Sequence, residues 1–427
     1  MLFRLSLFLL CCLLSIPAQA ARPNIILIMA DDIGYECYGC YGSKQYKTPN
    51  IDRMAASGMR FEHCYSQPLC TPSRVKIMTG LSNARNYSAF SILNRDQRTF
   101  GHIMKEAGYR TFVGGKWQLY GAEHYFYPNM HHGKGTLPAD AGFDQYCLWQ
   151  IDKQGERYWN PLLNINGETR QFQSDEYGPD IVTDHIVDFM KQESDQPFFV
   201  YYPMILVHSP FPTTPDSENR DRKNNQKNFE DMVQYMDKMI GRIVKQTEDL
   251  GIADNTLILV TGDNGTGRQI TSTLNGRTIK GGKGSTTDAG TRVALVAYQP
   301  GTVKEGVVNK DLVDFSDFVP TLQEVAGIPA DKNLDGVSFA SALTGTNPHP
   351  GANGCTAIII PLRNRPTANH SGSPGISVIN FMAMVDFMTS LRIPGRNPAF
   401  RAECCLPEAV RCPRLDAGGK SDFVKIC

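Results

Sequence analysis

The chain has 427 residues, with 43 basic and 43 acidic side chains and a formal net charge of zero at neutral pH. That balance offers no bulk attraction to nucleic acid or to an anionic membrane, and 41% hydrophobic residues suffice for one large α/β domain and a smaller one. Twelve cysteines in a chain of this length do not make a dense disulfide framework.

The N-terminus carries Arg4, an apolar run through Ile16, and then Pro17-Ala18-Gln19-Ala20. This is the pattern of a signal peptide cut after Ala20, so export to a periplasm or the extracellular space is expected, and Cys11 and Cys12 leave with it. The run is too short for a stable membrane span, and no later segment replaces it. Asn24 to Met29 predicts a buried parallel strand followed by Ala30-Asp31-Asp32. Ligand groups in open α/β sheets collect at that edge. Cys37 and Cys40 are close enough to pair and stay open between a disulfide and two thiols. Thr48-Pro49-Asn50-Ile51-Asp52 leads into a helix containing Met54, Ala55 and Ala56.

Cys70 opens the run Cys70-Thr71-Pro72-Ser73-Arg74, which continues to Thr79-Gly80. Thr71 is the expected helix cap and Pro72 the expected first helical residue. Cys70 then lies at the positive end of the helix, with the Arg74 fork suited to a tetrahedral oxyanion. A lone cysteine is more commonly a small buried hydrophobe, so this local pattern needs support from the rest of the chain.

Phe100 to Ala107 predicts a helix, and Tyr109 to Val113 a strand running into Gly114-Gly115-Lys116. Residues 126–175 are rich in Gly, Asn, Pro and His and are expected to form substrate-facing loops. Asp180 to Met190 predicts a helix, Pro197 to Val207 a strand ending at His208, and Asn228 to Gln246 a helix. Asn255 to Val260 is a strand closed by Thr261-Gly262-Asp263-Asn264-Gly265. Lys283 lies in Gly281-Gly282-Lys283-Gly284, Val293 to Ala297 is a strand, and Asp317 to Val325 a helix. Strand-helix alternation of this length predicts a doubly wound sheet. Beyond Gly351 the alternation fades. Ile358 to Leu362 suits a strand and Phe381 to Leu391 a helix, while Cys404, Cys405, Cys412 and Cys427 crowd the end. The organisation is read as a signal peptide (1–20), a main domain (21–350) and a small, poorly defined C-terminal region (351–427).

If the strands ending at Asp31-Asp32 and Asp263-Asn264 are neighbours, four hard oxygen donors converge. Such a set suits Ca²⁺ or Mg²⁺, and no spacing of His or Cys indicates zinc. Taken singly, these residues also fit helix caps and turns. Lys116 and Lys283 can hold an oxyanion or stand in solvated loops. His208 can pass a proton to a leaving oxygen or be an ordinary loop histidine.

Together these pieces resemble the formylglycine-dependent sulfatases, an arylsulfatase-like family of the alkaline-phosphatase-like superfamily. The likeness runs from about Arg22 to Phe339 and is carried by Asn24-to-Asp32, Thr48-to-Asp52, Cys70-to-Arg74 with Thr79-Gly80, Gly115-Lys116-Trp117, His208, Thr261-to-Gly265, Lys283 and Gly290-to-Val293. The resemblance implies an α/β, alkaline-phosphatase-like doubly wound mixed sheet flanked by helices. It implies that a formylglycine-generating maturation enzyme converts Cys70 to 3-oxoalanine, whose hydrate attacks a sulfate ester. Asp31, Asp32, residue 70, Asp263 and Asn264 would hold Ca²⁺, in preference to Mg²⁺. Arg74 and Lys116 would stabilise residue 70 and sulfate charge, and His208 and Lys283 would bind sulfate and help the alcohol leave. The partner it implies is a sulfated carbohydrate or another sulfate ester such as an aryl sulfate. A phosphoester or phosphonoester hydrolase, or a non-catalytic sulfated-glycan binding protein, are the alternatives.

The chain departs from the family at Lys116-Trp117-Gln118-Leu119-Tyr120, where Gln118 replaces a histidine. A carboxamide hydrogen-bonds but is no useful general base, and His124 is the nearby replacement candidate. Asp288 and Ala289 replace a more usual glutamate and glycine.

Overall fold

The computed structural model describes residues 22–122 and 131–346, and the backbone of residues 411–415 and 421–425. Contacts divide the chain into two units, Met1–Pro366 and Thr367–Cys427. Within the first, ten strands form one mixed sheet: β1 (Asn24–Ala30), β2 (Met59–Tyr65), β3 (Arg110–Lys116), β4 (Gln145–Trp149), β5 (Leu162–Ile165), β6 (Glu168–Gln171), β7 (Phe198–Pro203), β8 (Thr256–Gly262), β11 (Arg292–Tyr298) and β12 (Val307–Asp314), with the small hairpin β9 (Thr271–Leu274) and β10 (Arg277–Lys280) outside it. The order across the sheet is β12-β2-β11-β8-β1-β7-β3-β4-β5-β6. The second unit contains an antiparallel pair, β13 (Arg411–Leu415) and β14 (Ser421–Lys425). The strand expected at 358–362 and the helix expected at 381–391 lie outside the described residues.

β1 sits at the centre because it is apolar on both faces. Every residue from Ile25 to Ala30 is fully buried. Ile26, Ile28 and Ala30 join one core, Ile25, Leu27 and Met29 the other, as the alternation of a strand requires. Each such side chain contributes about 1.5–3 kcal/mol of burial. One face is covered by helices α1 (Pro49–Ala56), α4 (Gly178–Met190) and α5 (Asn225–Asp249). The other is covered by α2 (Cys70–Thr79), α3 (Phe100–Glu106) and α6 (Phe318–Val325). This is the doubly wound mixed sheet expected from the sequence.

β1 pairs in parallel with β7 and β8, and β3 in parallel with β7. The C-terminal ends of these four strands therefore share one edge. Gly115 is needed there: its φ is +123°, and a Cβ would stand 1.9 Å from the Pro203 carbonyl oxygen. Lys116 is thereby brought against the end of β7.

Two local expectations change, and one left open is settled. The 126–175 stretch, read as loops, contains β4, β5 and β6, short strands whose alternation was masked by polar residues. The α2 helix begins at Cys70 itself, with extended Leu69 before it and no side-chain cap. Thr71 instead accepts a hydrogen bond from Ser91 N at 3.2 Å, and Pro72 is the third helical residue. Ser73 Oγ accepts from Gln67 N at 3.0 Å and so ties down the chain entering the helix. Finally, Cys37 and Cys40 are free thiols, and burial pushes both up, Cys40 to about 12. Among the described residues, no helix is long and apolar enough to cross a membrane.

Candidate active site

All ten residues of α2 are buried, including Arg74 and Lys76. A helix enclosed on every side must pair its polar groups internally. Lys76 Nζ meets Asp314 at 2.6 Å, and Thr79 donates to the Val75 carbonyl. Gly80, at φ +67°, ends the helix by donating to the Lys76 carbonyl. Cys70 is 2% exposed at the first helical position, and its sulfur lies within electrostatic reach of Arg74 and Lys283.

Asp31 and Asp32 leave the end of β1, and Asp263 and Asn264 leave β8 beside it. The main chain locks both turns: Asp31 N donates to Leu206 O and Asp263 N to Ala30 O, each at 2.8 Å. Asp32 takes φ +61°, a conformation Asp tolerates better than most residues, and its N–H donates to Asp263 Oδ1 at 2.9 Å. The two strands assumed from sequence to be neighbours are so, and Asp263 and Asn264 are hydrogen-bonded to Asp32.

Cations surround them. Lys116 Nζ lies 3.0 and 2.8 Å from the two Asp31 oxygens. Arg74 Nη2 donates to Asp263 Oδ2 at 3.2 Å, and its Nη1 donates to the Lys116 carbonyl at 2.9 Å. Lys283 Nζ, on its glycine-rich loop, lies 2.7 Å from Asp32 Oδ2 and 3.1 Å from His208 Nε2. His208 Nδ1 faces the Ser209 carbonyl, so Nδ1 carries the proton and Nε2 accepts from Lys283.

Burial opposes charge on Asp31 and Asp32, but the cations outweigh it. Lys116, Arg74 and Lys283, joined by His208 where its ring is protonated, hold Asp31 well below the usual carboxylate range, and His208 when protonated, with Lys283, lowers Asp32. Asp263 goes the other way: burial and the Asp31 charge raise it, and Arg74 offsets this only in part. Burial, aided by Lys283 and Lys116, lowers His208 to about 4. The ring is therefore neutral at physiological pH, and in the Lys283–His208 pair it is the lysine that carries the proton.

Asn264 Oδ1 is buried without a hydrogen-bond partner, while its Nδ2 donates to Asp32 Oδ1 at 2.8 Å. An orphaned carboxamide oxygen beside three carboxylates fits a hard divalent cation. Asp31, Asp32 and His208 bring candidate ligand atoms within 4.8 Å of one another. With His208 Nε2 engaged by Lys283, the donor set remains one of oxygens and favours Ca²⁺ or Mg²⁺ over softer ions.

Gln118 is buried, at φ +56°, with Oε1 unpartnered. Strained backbone of this kind concentrates at functional sites. Its N–H is held by the Gln150 carbonyl at 3.2 Å. His124 lies outside the described residues.

One residue escaped sequence reading altogether. Arg157 is 8% exposed, its guanidinium stacks 3.8 Å from the centre of the Trp149 ring, and its Nη1 is 3.8 Å from Asp31 Oδ2. That separation is too long for a hydrogen bond, and Nη1 has no partner. A buried unpaired donor costs about 1–3 kcal/mol. Arg157 sits in Gln154-Gly155-Glu156-Arg157-Tyr158-Trp159, which has no periodicity; two aromatics beside a cation were the only signal.

A doubly wound sheet with buried carboxylates and cations gathered at the C-terminal ends of its central strands is what fold and site define. The Sulfatase family profile matches residues 23–328, and the chain belongs to that family. It is 31% identical over 362 residues to N-acetylgalactosamine-6-sulfatase of Canis lupus familiaris and 32% over 372 residues to arylsulfatase A of Homo sapiens. Those alignments cover 76% and 78% of this chain but 66% and 70% of the relatives, so the chain spans about two thirds of their length. The crystal structure of Ps i-CgsB in complex with k-i-k-neocarrahexaose is 28% identical, with a TM-score of 0.64 over 77% of this chain and 78% of that one.

Proposed function

We propose that this protein is a sulfuric ester hydrolase that releases inorganic sulfate from a sulfated carbohydrate after export. The carrying observation is Cys70 buried at the start of α2, with Arg74 and Lys283 in reach of its sulfur and the Asp31/Asp32/Asp263/Asn264 oxygens at the adjoining strand ends.

Asp31, Asp32, Asp263 and Asn264, with residue 70, would hold Ca²⁺. The ion, when bound, supplies Lewis-acid charge for an ester oxygen. Residue 70, when oxidised to formylglycine by its maturation enzyme, supplies the attacking hydroxyl as the hydrate. The chain's own groups do the rest. Arg74 spans Asp263 and the Lys116 carbonyl and so ties helix α2 to the ends of β8 and β3. Lys116 presents positive charge beside Asp31, where charge on the transferred group is stabilised. Lys283 holds a proton on Nζ, hydrogen-bonded to His208 Nε2. This pair binds sulfate and furnishes the proton that the departing alcohol oxygen needs. Tyr158 Oη donates to the carbonyls of Ile205 and His208, which fixes the loop carrying that histidine.

A cavity lined by residues that follow site residues in the chain is a candidate for the sugar. It has a volume of about 670 Å³ and is lined by Trp159, Phe211, Arg220 and Lys223. Trp159 lies one residue past Tyr158, and Phe211 three past His208. Arg220 stacks 4.0 Å over the Trp159 ring. Cations and hydroxyl-binding edges of this kind suit a sulfated sugar.

The test is the mass of the residue-70 peptide from protein exported in a host able to make formylglycine, followed by sulfate release from a panel of sulfated glycans. The aldehyde mass with sulfate release is the expected result. An unmodified cysteine, with a control substrate of the maturation enzyme fully converted, refutes the hydrolase reading and favours a sulfated-glycan binding protein.

A further inference from the structure

Arg157 differs from the other cations of the site. Lys116 bridges both oxygens of Asp31, Lys283 holds Asp32, and Arg74 holds Asp263. Arg157 reaches the same carboxylate as Lys116 yet makes no hydrogen bond to it through Nη1. Lys116 already bonds both Asp31 oxygens and Arg74 stands 3.9 Å away, so a counter-ion role does not explain a third buried cation beside it. The guanidinium is also held in place. The Trp149 ring lies under it, and the chain on its C-terminal side is anchored by the Trp159–Tyr177 bridge and by the Gly178 N–H donated to the Tyr158 carbonyl at 2.7 Å. Gly178 itself leaves no room for movement, since a Cβ there would stand 2.1 Å from the Arg157 carbonyl oxygen. A planar fork that is held in place and largely buried, with Nη1 lacking a hydrogen-bond acceptor, is prepared for an oxyanion.

Its location gives the role. Trp149 ends β4, the neighbour of β3, and the main chain of Trp149 and Gln150 accepts from Trp117 N and Gln118 N. Arg157 therefore stands at the edge where this chain carries Gln118, a residue unable to hold positive charge.

We propose that Arg157 is a substrate-contacting residue whose Nη1 donates to an oxygen of the sulfate group seated beside Asp31. This rests on the sulfatase reading of the site. Arginine cannot serve as a base, so its contribution is binding and charge stabilisation of the transferred group.

The test uses the full chain loaded with Ca²⁺ and compares wild type with Arg157→Gln and the conservative Arg157→Lys. Inorganic sulfate is titrated by calorimetry, Ca²⁺ affinity and melting are measured alongside, and kcat and KM are determined on a small aryl sulfate. A hydrogen bond to a charged group is worth about ten- to hundred-fold in affinity. Sulfate binding and kcat/KM should fall by that factor in Arg157→Gln, with Ca²⁺ affinity unchanged, and Arg157→Lys should recover only part because it lacks the fork. Sulfate affinity and kcat/KM unchanged in both variants overturn the inference. So does a loss that tracks weakened Ca²⁺ binding in both, since Arg157 then acts as a counter-ion of Asp31. Arg157-dependent sulfate binding by a wild-type protein that cleaves no sulfate ester sinks the hydrolase reading and leaves the contact standing.

Discussion

Replacing Arg74 by methionine, measured above about pH 8 where Asp263 is ionised, tests whether helix α2 is held to the site by a buried ion pair. Arg74 and Asp263 are 1% and 0% exposed at 3.2 Å. Removing one partner of a buried pair leaves the other charge uncompensated, at about 3–5 kcal/mol. The Lys116 carbonyl also loses its 2.9 Å donor. Against a domain stability of about 5–15 kcal/mol this is a large fraction. With a urea slope of about 3 kcal/mol/M, the midpoint should fall by about 1–2 M. Trp117 and Trp149, each 1% exposed and near the site, report the transition by fluorescence. The measurement is made with a chelator present, so that no divalent ion takes over the neutralising role. Asp263→Asn removes the stranded charge, so Arg74→Met with Asp263→Asn should be less damaged than the sum of the single changes by at least about 1.5 kcal/mol. Additivity within about 0.5 kcal/mol would show that the two side chains are energetically independent and refute the reasoning.

Asp31→Asn weakens the oxygen set while keeping its shape. Calorimetric Ca²⁺ affinity should drop by tenfold or more, and sulfate release with it; normal values for both would remove Asp31 from the ligand set. Gln118→His restores an ionisable ring at a backbone with φ +56°, which histidine tolerates. The steady-state kcat on an aryl sulfate near neutral pH should rise severalfold. An unchanged kcat at unchanged stability would mean that another acceptor already takes the proton.

The parts of the site that could be read from sequence are those attached to the ends of regular elements. Asp31-Asp32 and Asp263-Asn264 terminate apolar runs, so the period of the strand and the turn after it are enough to locate them. Their convergence needed only one further assumption, that β1 and β8 are neighbours, and their parallel register from Asn24–Thr256 to Ala30–Gly262 supplies it. The start of α2 was misplaced by local propensity. Thr71 is a good cap in isolation, but Ser91 N claims its hydroxyl and Ser73 secures the entering chain instead. Strands such as β2, with the sequence MRFEHCY, hide their character because half-buried charged side chains alternate with the core.

Arg157 illustrates a different limit. Nothing periodic precedes it, and its place depends on contacts that close over long separations: Trp159 with Tyr177, Tyr158 with the His208 carbonyl, and its own side chain with Trp149. A loop residue is positioned by tertiary closure rather than by the element it belongs to. The same closure joins the proton-carrying pair to the arginine, because Tyr158 is bonded to Arg157 on one side and fixes the His208 loop on the other. In this chain Gln118 is bonded to the Gln150 carbonyl and Arg157 stacks on Trp149, so variants at these two positions test the β3–β4 edge for its part in turnover and substrate binding.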